Sequence, residues 1–143
     1  MNMDKKLVEA YQQTCYQVEV NRLVFELFIG QPNMPFADYC QQHNVQQWAI
    51  ITAYNPYSNP TAEKLNQQAN IALSNELQAL GYEFYQGDGV PNSSDWLTEK
   101  GFWIANIELA IAKKLAIKYQ QNAFVFGDDK NAPQLYLFED KKS

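Results

Sequence analysis

The chain has one arginine, Arg22, and one histidine, His43, among its 143 residues. A single guanidinium excludes an arginine cluster that binds phosphate or guanine, because such sites use several planar bidentate donors. Acidic residues number 16 against 11 basic ones, and a net charge of −5 repels the phosphate backbone. We therefore expect no duplex nucleic acid partner.

Cysteine is scarce as well, with Cys15 and Cys40 only. Two distant thiols cannot form a disulfide scaffold, and a zinc site with one imidazole would need carboxylate ligands. We expect no metal site, and nothing in the sequence indicates a cofactor. Cys15 and His43 could in principle act as nucleophile and base, but both cysteines lie where small buried hydrophobes are common.

Long apolar runs are missing too. No segment approaches the roughly 18 apolar residues of a membrane span, and no apolar signal segment follows the charged N-terminus. There is also no glycine-rich phosphate loop, which excludes a Walker or dinucleotide-binding fingerprint. We expect a cytoplasmic protein without a membrane partner.

What the chain does contain predicts one globular domain over residues 1–143, with a short polar tail from about residue 139. Hydrophobic residues make up 46% of it and aromatic residues 14%, enough to build a core at this length. Apolar periodicity predicts the order α-β-β-α-β-α-β-β-α-β-β. This order indicates an α/β (α+β) fold, with a single mixed β-sheet of about six or seven strands flanked by three or four helices.

The strongest local pattern runs from a buried strand, Trp48–Ala53, through the rigid loop Tyr54–Pro60 into a long helix. We predict that this helix spans Pro60–Leu80, with Asn59 as N-cap and Gly81 as its stop. Ligands often bind beyond such a strand, where the helix N-terminus attracts anions. The alternative is that the polar residues only cap and brace the turn.

A second candidate is the predicted loop Gln86–Ser94, which carries Gly87-Asp88-Gly89, together with Asp95, Trp96 and Glu99 downstream. Carboxylates in such a loop could bind a cation or act as acid and base. The spacing of an EF-hand is absent, however, and exposed loop acids are mostly solvated.

Several of these motifs resemble a bacterial family known as domain of unknown function 3293. The resemblance includes Ile51-Thr52-Ala53-Tyr54-Asn55-Pro56-Tyr57-Ser58, then Asn66, Gly87-Asp88-Gly89, Trp96 with Glu99, and Gln121-Asn122-Ala123-Phe124-Val125. Lys100 and Gly101 depart from it. The resemblance implies a compact α/β fold in cytoplasmic bacterial proteins, and it supplies no activity, substrate or cofactor.

Together these patterns predict a pocket for a small polar or phosphorylated, nucleotide-like ligand between the loops Asn55–Ser58 and Gly87–Gly89. The first alternative is a non-enzymatic module that binds a protein partner, and the second is a small hydrolase that uses Asp88, Asp95 or Glu99. The residues leave open whether the protein is an enzyme. The predicted ligand-binding residues are Asn55, Ser58, Asn66, Asp88, Trp96, Gln121 and Asn122.

Overall fold

The structure, a computed structural model, describes residues 5–92 and 97–138. Within them the helices and strands follow the predicted order. The helices are α1 (Lys5–Gln13), α2 (Met34–Gln42), α3 (Glu63–Leu80) and α4 (Leu109–Lys118). The strands are β1 (Cys15–Val20), β2 (Leu23–Leu27), β3 (Gln47–Ile51), β4 (Phe84–Val90), β5 (Phe102–Ala105), β6 (Ala123–Asp128) and β7 (Gln134–Leu137).

The seven strands form one sheet in the order β2-β1-β4-β5-β3-β6-β7. This confirms the α/β class, the single sheet and the numbers of strands and helices. In contrast to the mixed sheet predicted, all six neighbouring pairs are antiparallel. The helical connections do join strands of the same direction, such as β3 and β4. A strand of opposite direction, here β5, lies between them, so parallel neighbours do not arise.

The central strand β3 is buried on both faces, as predicted. Trp48 and Ile50 belong to the core cluster that includes residues of α2. Ala49 and Ile51 belong to the cluster formed with α3 and α4. Because strand side chains alternate, one short segment anchors both layers of the core.

Helix α3 begins three residues later than predicted. Its N-cap is Ala62, whereas Asn59 has extended backbone and ends a turn of 3-10 helix over Pro56–Ser58. Proline and asparagine suit a helix start in general, but here they follow a separate tight turn. The predicted C-terminal stop is confirmed, since Gly81 has a left-handed φ of 83°.

The buried face of α3 is rotated from the stripe that helical spacing predicts. The apolar positions at that spacing are Ala62, Leu65, Ala69, Ala72, Leu73, Leu77 and Leu80. Leu73 and Leu77 are buried as expected, but Leu65 and Leu80 are 57% and 52% exposed. Asn66 is buried instead. The helix therefore presents a polar side chain to the sheet near its N-terminal end.

The segment Gly87-Asp88-Gly89 is strand rather than loop, so this prediction was wrong. It lies inside β4 and pairs with β1 on one side. A Cβ at Gly87 would lie 2.8 Å from the backbone nitrogen of Trp103 in β5. Gly87 thus permits the close approach of two strands. The sequence alone does not distinguish this role from that of a glycine in a turn.

Candidate functional site

A cavity of about 400 Å³ lies between α1 and the sheet. Apolar side chains form much of its lining, including Leu7 and Ala10 of α1 and Ile50 and Val125 of the sheet. Gly87 and Gly89 of β4 line it as well. A smaller set of polar side chains completes the lining: Tyr11, Ser58, Glu99 and Gln121 are among them.

The loop that follows β3 reaches this cavity with a strained backbone. Asn55, Tyr57 and Ser58 have left-handed φ values of 49°, 53° and 63°. Residues other than glycine adopt this region at a cost of about 1–3 kcal/mol each, least for asparagine, so surrounding contacts must hold them there. One such contact is the hydrogen bond of 2.6 Å that the Tyr57 N–H donates to the Gln120 carbonyl.

The strongest brace of the loop is a pair of asparagines. The Oδ1 of Asn66 accepts a hydrogen bond of 2.8 Å from the Asn55 N–H, and its Nδ2 donates to the Asn55 Oδ1 at 3.0 Å. The Asn66 Nδ2 also donates to the Thr61 carbonyl at 3.2 Å, and the Thr61 N–H donates to the Asn55 Oδ1. These amides therefore hold the chain between β3 and α3, and neither is a lining residue of the cavity.

The remaining donor of Asn55 points to Glu99. Its Nδ2 donates to the Glu99 Oε2 at 2.8 Å, and the backbone of Glu99 pairs with Gly89 at the end of β4. Burial raises the pKa of the Glu99 carboxyl above its ordinary value, and the bond from Asn55 opposes that rise. Among the described residues, no lysine or arginine forms an ion pair with this carboxyl.

Ser58 lies in a small hydroxyl cluster. Its Oγ accepts a hydrogen bond of 2.9 Å from the Asn122 Nδ2 and lies 3.4 Å from the Tyr11 Oη. Burial is the main cause that raises the pKa of Tyr11, and the nearby Glu99 carboxyl adds to it. Helix α1 thereby contributes a phenol to the same wall as the loop.

Gln121 is buried, and its side-chain nitrogen donates to the carbonyls of Tyr54 and Tyr119, each at 3.1 Å. Both bonds use the Nε2, so this amide fixes the loop to the end of α4. Gln121 also lines the cavity, and its Oε1 has no donor among the residues that the structure describes.

Asp88 is buried elsewhere. Side chains alternate along β4, so Asp88 lies on the face opposite to Gly87 and Gly89. It accepts hydrogen bonds from the Gly101 N–H at 3.2 Å and from the Gln86 Nε2 at 2.7 Å. These bonds brace the start of β5.

The structure therefore divides the predicted site residues. Ser58 and Gln121 line the cavity. Asn55 and Asn122 bond to the lining residues Glu99 and Ser58, whereas Asn66 bonds to Asn55 and Thr61, which do not line it. Asp88 braces the far side of β4, and Trp96 and Asp95 lie outside the described residues. Tyr11 was not predicted, because a tyrosine in an amphipathic helix carries no local signal of a site. Glu99 was predicted only as part of the family resemblance and as a loop carboxylate that could bind a cation or serve a hydrolase.

The other predicted chemistry is not assembled by the described residues. His43 is the C-cap of α2 and packs against Tyr39, with ring centroids 4.1 Å apart and the rings tilted by 36°. No hydrogen bond joins it to Cys15. Within 5–92 and 97–138, no group of three or more His, Cys, Asp and Glu side chains could hold a metal ion. In the same ranges, no helix has the length and apolar character needed to cross a bilayer.

A family model described as "Protein of unknown function (DUF3293)" matches residues 51–124. This segment runs from the end of β3 to the start of β6 and contains Ser58, Glu99 and Gln121, whereas α1 precedes it. No curated protein and no solved structure matches the chain significantly.

Proposed function

The chain belongs to the DUF3293 family of proteins of unknown function, and we propose that it binds a small, mainly apolar molecule in the cavity under α1. The polar group of that molecule would meet Glu99, Ser58 and Gln121. The observation that carries the proposal is one hollow of about 400 Å³ with apolar walls and a few polar atoms gathered together. Ligand sites in proteins have this size and character.

The apolar walls supply the driving force for binding. Leu7, Ala10, Ile50 and Val125 line a space in which water finds few hydrogen-bond partners. An apolar ligand that fills it removes apolar surface from water, at roughly 2.5 kcal/mol per 100 Å². The polar side chains then select the orientation and the kind of molecule.

The charges of the lining argue against the phosphorylated ligand expected from the sequence. Glu9 and Glu99 both line the cavity, and Lys6 is its basic lining residue among those described. The N-terminus of α3, on which the phosphate expectation depended, is not among the lining elements and carries Glu63 in its first turn. We therefore favour a ligand without negative charge.

A cavity-filling variant tests the proposal. Ala10→Phe places a ring in the hollow, and Ala79→Phe adds the same ring to an exposed position of α3. In a thermal-shift screen of small apolar amines, alcohols and amides, some compounds should raise Tm of the wild type and of Ala79→Phe. A ligand at 100 times its Kd adds about 2.7 kcal/mol, or several degrees.

Ala10→Phe should lose these shifts while keeping a cooperative unfolding transition. If it does not fold, Leu7→Trp closes the same space from another turn of α1. Equal shifts in the cavity-filling and control variants would place binding elsewhere, and the absence of any shift in the wild type would overturn the proposal.

A further inference from the structure

The carboxyl of Glu99 adds a constraint on the ligand, and the argument rests on the proposed function. We propose that the polar group of the ligand is a protonated amine, and that the Glu99 carboxylate is its counterion. The class of ligand is then a small apolar amine rather than an acid, an alcohol or a phosphate ester.

The first support is the way in which Glu99 is positioned. One oxygen, Oε2, accepts from Asn55, and Asn55 is itself held by Asn66. The chain of amides fixes the carboxyl at the cavity wall and leaves Oε1 without a protein partner among the described residues. A carboxylate that is held but not neutralised is suited to receive a cation, because burying an uncompensated charge is costly.

The second support is the balance of donors and acceptors near Glu99. An ammonium group has three donors and no acceptor. The Gln121 Nε2 donates to two backbone carbonyls, which leaves the Oε1 of the same amide as an acceptor. Ser58 Oγ accepts from Asn122, and either hydroxyl of the Ser58–Tyr11 pair could donate to the other, so this pair leaves one hydroxyl hydrogen free. Among the described residues, the polar end of the cavity thus has two acceptors without a donor, Glu99 Oε1 and Gln121 Oε1, and one free hydroxyl donor.

The third support is electrostatic. Within 5–92 and 97–138, the titratable side chains that line the cavity are Lys6, Glu9, Tyr11, Tyr16 and Glu99. Tyrosines are neutral at pH 7, so these described lining residues carry two potential negative charges and one positive charge. Burial raises the pKa of Glu99, which is the expected response of a carboxyl that lacks a counterion, and a bound ammonium would reverse that shift.

Matched ligands and matched variants test the inference. The probes are hexylamine, hexanol and hexanoate, and the series 2-phenylethylamine, 2-phenylethanol and phenylacetate, with Kd measured by calorimetry. In the wild type, each amine should bind at least about tenfold more tightly than the alcohol of the same skeleton, as a charge-assisted hydrogen bond in a partly buried site provides. The carboxylates should bind most weakly.

Glu99→Gln keeps the shape and the acceptor for Asn55 but removes the charge. It should weaken amine binding about tenfold or more and leave alcohol binding nearly unchanged. Glu19→Gln, which removes an exposed carboxylate of β1 outside the cavity lining, should keep the preference for amines. Lowering the pH through the raised pKa of Glu99 should weaken amine binding in the wild type, because the ligand stays protonated while its counterion is neutralised.

Three results overturn the inference. Alcohols that bind the wild type as tightly as amines, with binding lost in Ala10→Phe, would leave the cavity function standing and exclude the amine. Unchanged amine affinity in Glu99→Gln would exclude Glu99 as counterion. No binding of any probe to the wild type would count against the amine and the apolar cavity function together.

Discussion

Replacing Asn66 by alanine tests whether one buried amide holds the loop that frames the cavity. Its side chain, 3% exposed, makes three hydrogen bonds, two to Asn55 and one to Thr61. A hydrogen bond contributes about 1 kcal/mol net, so their loss should lower the free energy of unfolding by about 3 kcal/mol. The higher helix propensity of alanine should offset this loss by up to roughly 0.5 kcal/mol.

Urea unfolding with linear extrapolation measures this change. Asn75→Ala is the matched control, because Asn75 is an exposed asparagine of the same helix, and it should change stability by less than about 0.5 kcal/mol. Asn66→Asp should destabilise as well, since a carboxylate donates nothing and repels the Asn55 Oδ1. The double variant with Asn55→Ala should lose less than the sum of the single losses, because the two amides share bonds.

A loss in Asn66→Ala that lies within about 1 kcal/mol of the Asn75→Ala value would refute this reasoning. The loop would then be held by its backbone bonds and prolines, and Glu99 would not depend on the asparagine pair for its position.

Three further predictions concern other parts of the molecule. Glu99→Gln should change the pH dependence of stability, because the folded pKa of Glu99 is raised from 4.5. The protonated Glu99 carboxyl contributes stability that is fully present below pH 4.5, and this contribution is lost as pH rises through the folded pKa. Gly87→Ala should cost about 1–3 kcal/mol because its Cβ would meet the β5 backbone, whereas Gly89→Ala, with its nearest contact at 3.5 Å, should be tolerated. Cys40, buried and with its pKa raised to about 12, should react with a thiol reagent only after unfolding, whereas the half-buried Cys15 should react in the native protein.

Each has a direct check. Unfolding free energies of wild type and Glu99→Gln that differ by the same amount at every pH would contradict the first. Equal losses in Gly87→Ala and Gly89→Ala would contradict the second. For the third, native Cys15→Ser should be unreactive, and rapid labelling of that variant would show that Cys40 is accessible.

The order of helices and strands was predictable because its signals are local. The alternation of Tyr16, Val18 and Val20, the buried run around Ile50 and the glycine stop at Gly81 each act within a few residues. The tail and the single-domain organisation stay predictions. Two local predictions were wrong because one residue type can serve two purposes. The predicted start of α3 was wrong, since the proline and asparagine before it form a separate turn. The predicted loop at Gly87-Asp88-Gly89 was wrong, since Gly87 permits close packing of strands.

The candidate site was predictable in part. Ser58 and Gln121 carry polar side chains at the ends of apolar segments, which made them visible in the sequence. Tyr11 was not visible, because only packing against the sheet brings α1 near the loop. Asn66 was predicted as a ligand-binding residue, and its hydrogen bonds to Asn55 and Thr61 brace the chain.

By itself, the sequence determined the kinds of segment, their order and the burial of β3, because apolar periodicity and turn residues report on near neighbours. Only the tertiary structure decided that every strand pair is antiparallel, since helical connections leave open which strand is inserted between two others. It also decided that Asn55 meets Glu99 across 44 residues of chain. That contact depends on how distant strands pair, and no local pattern encodes it.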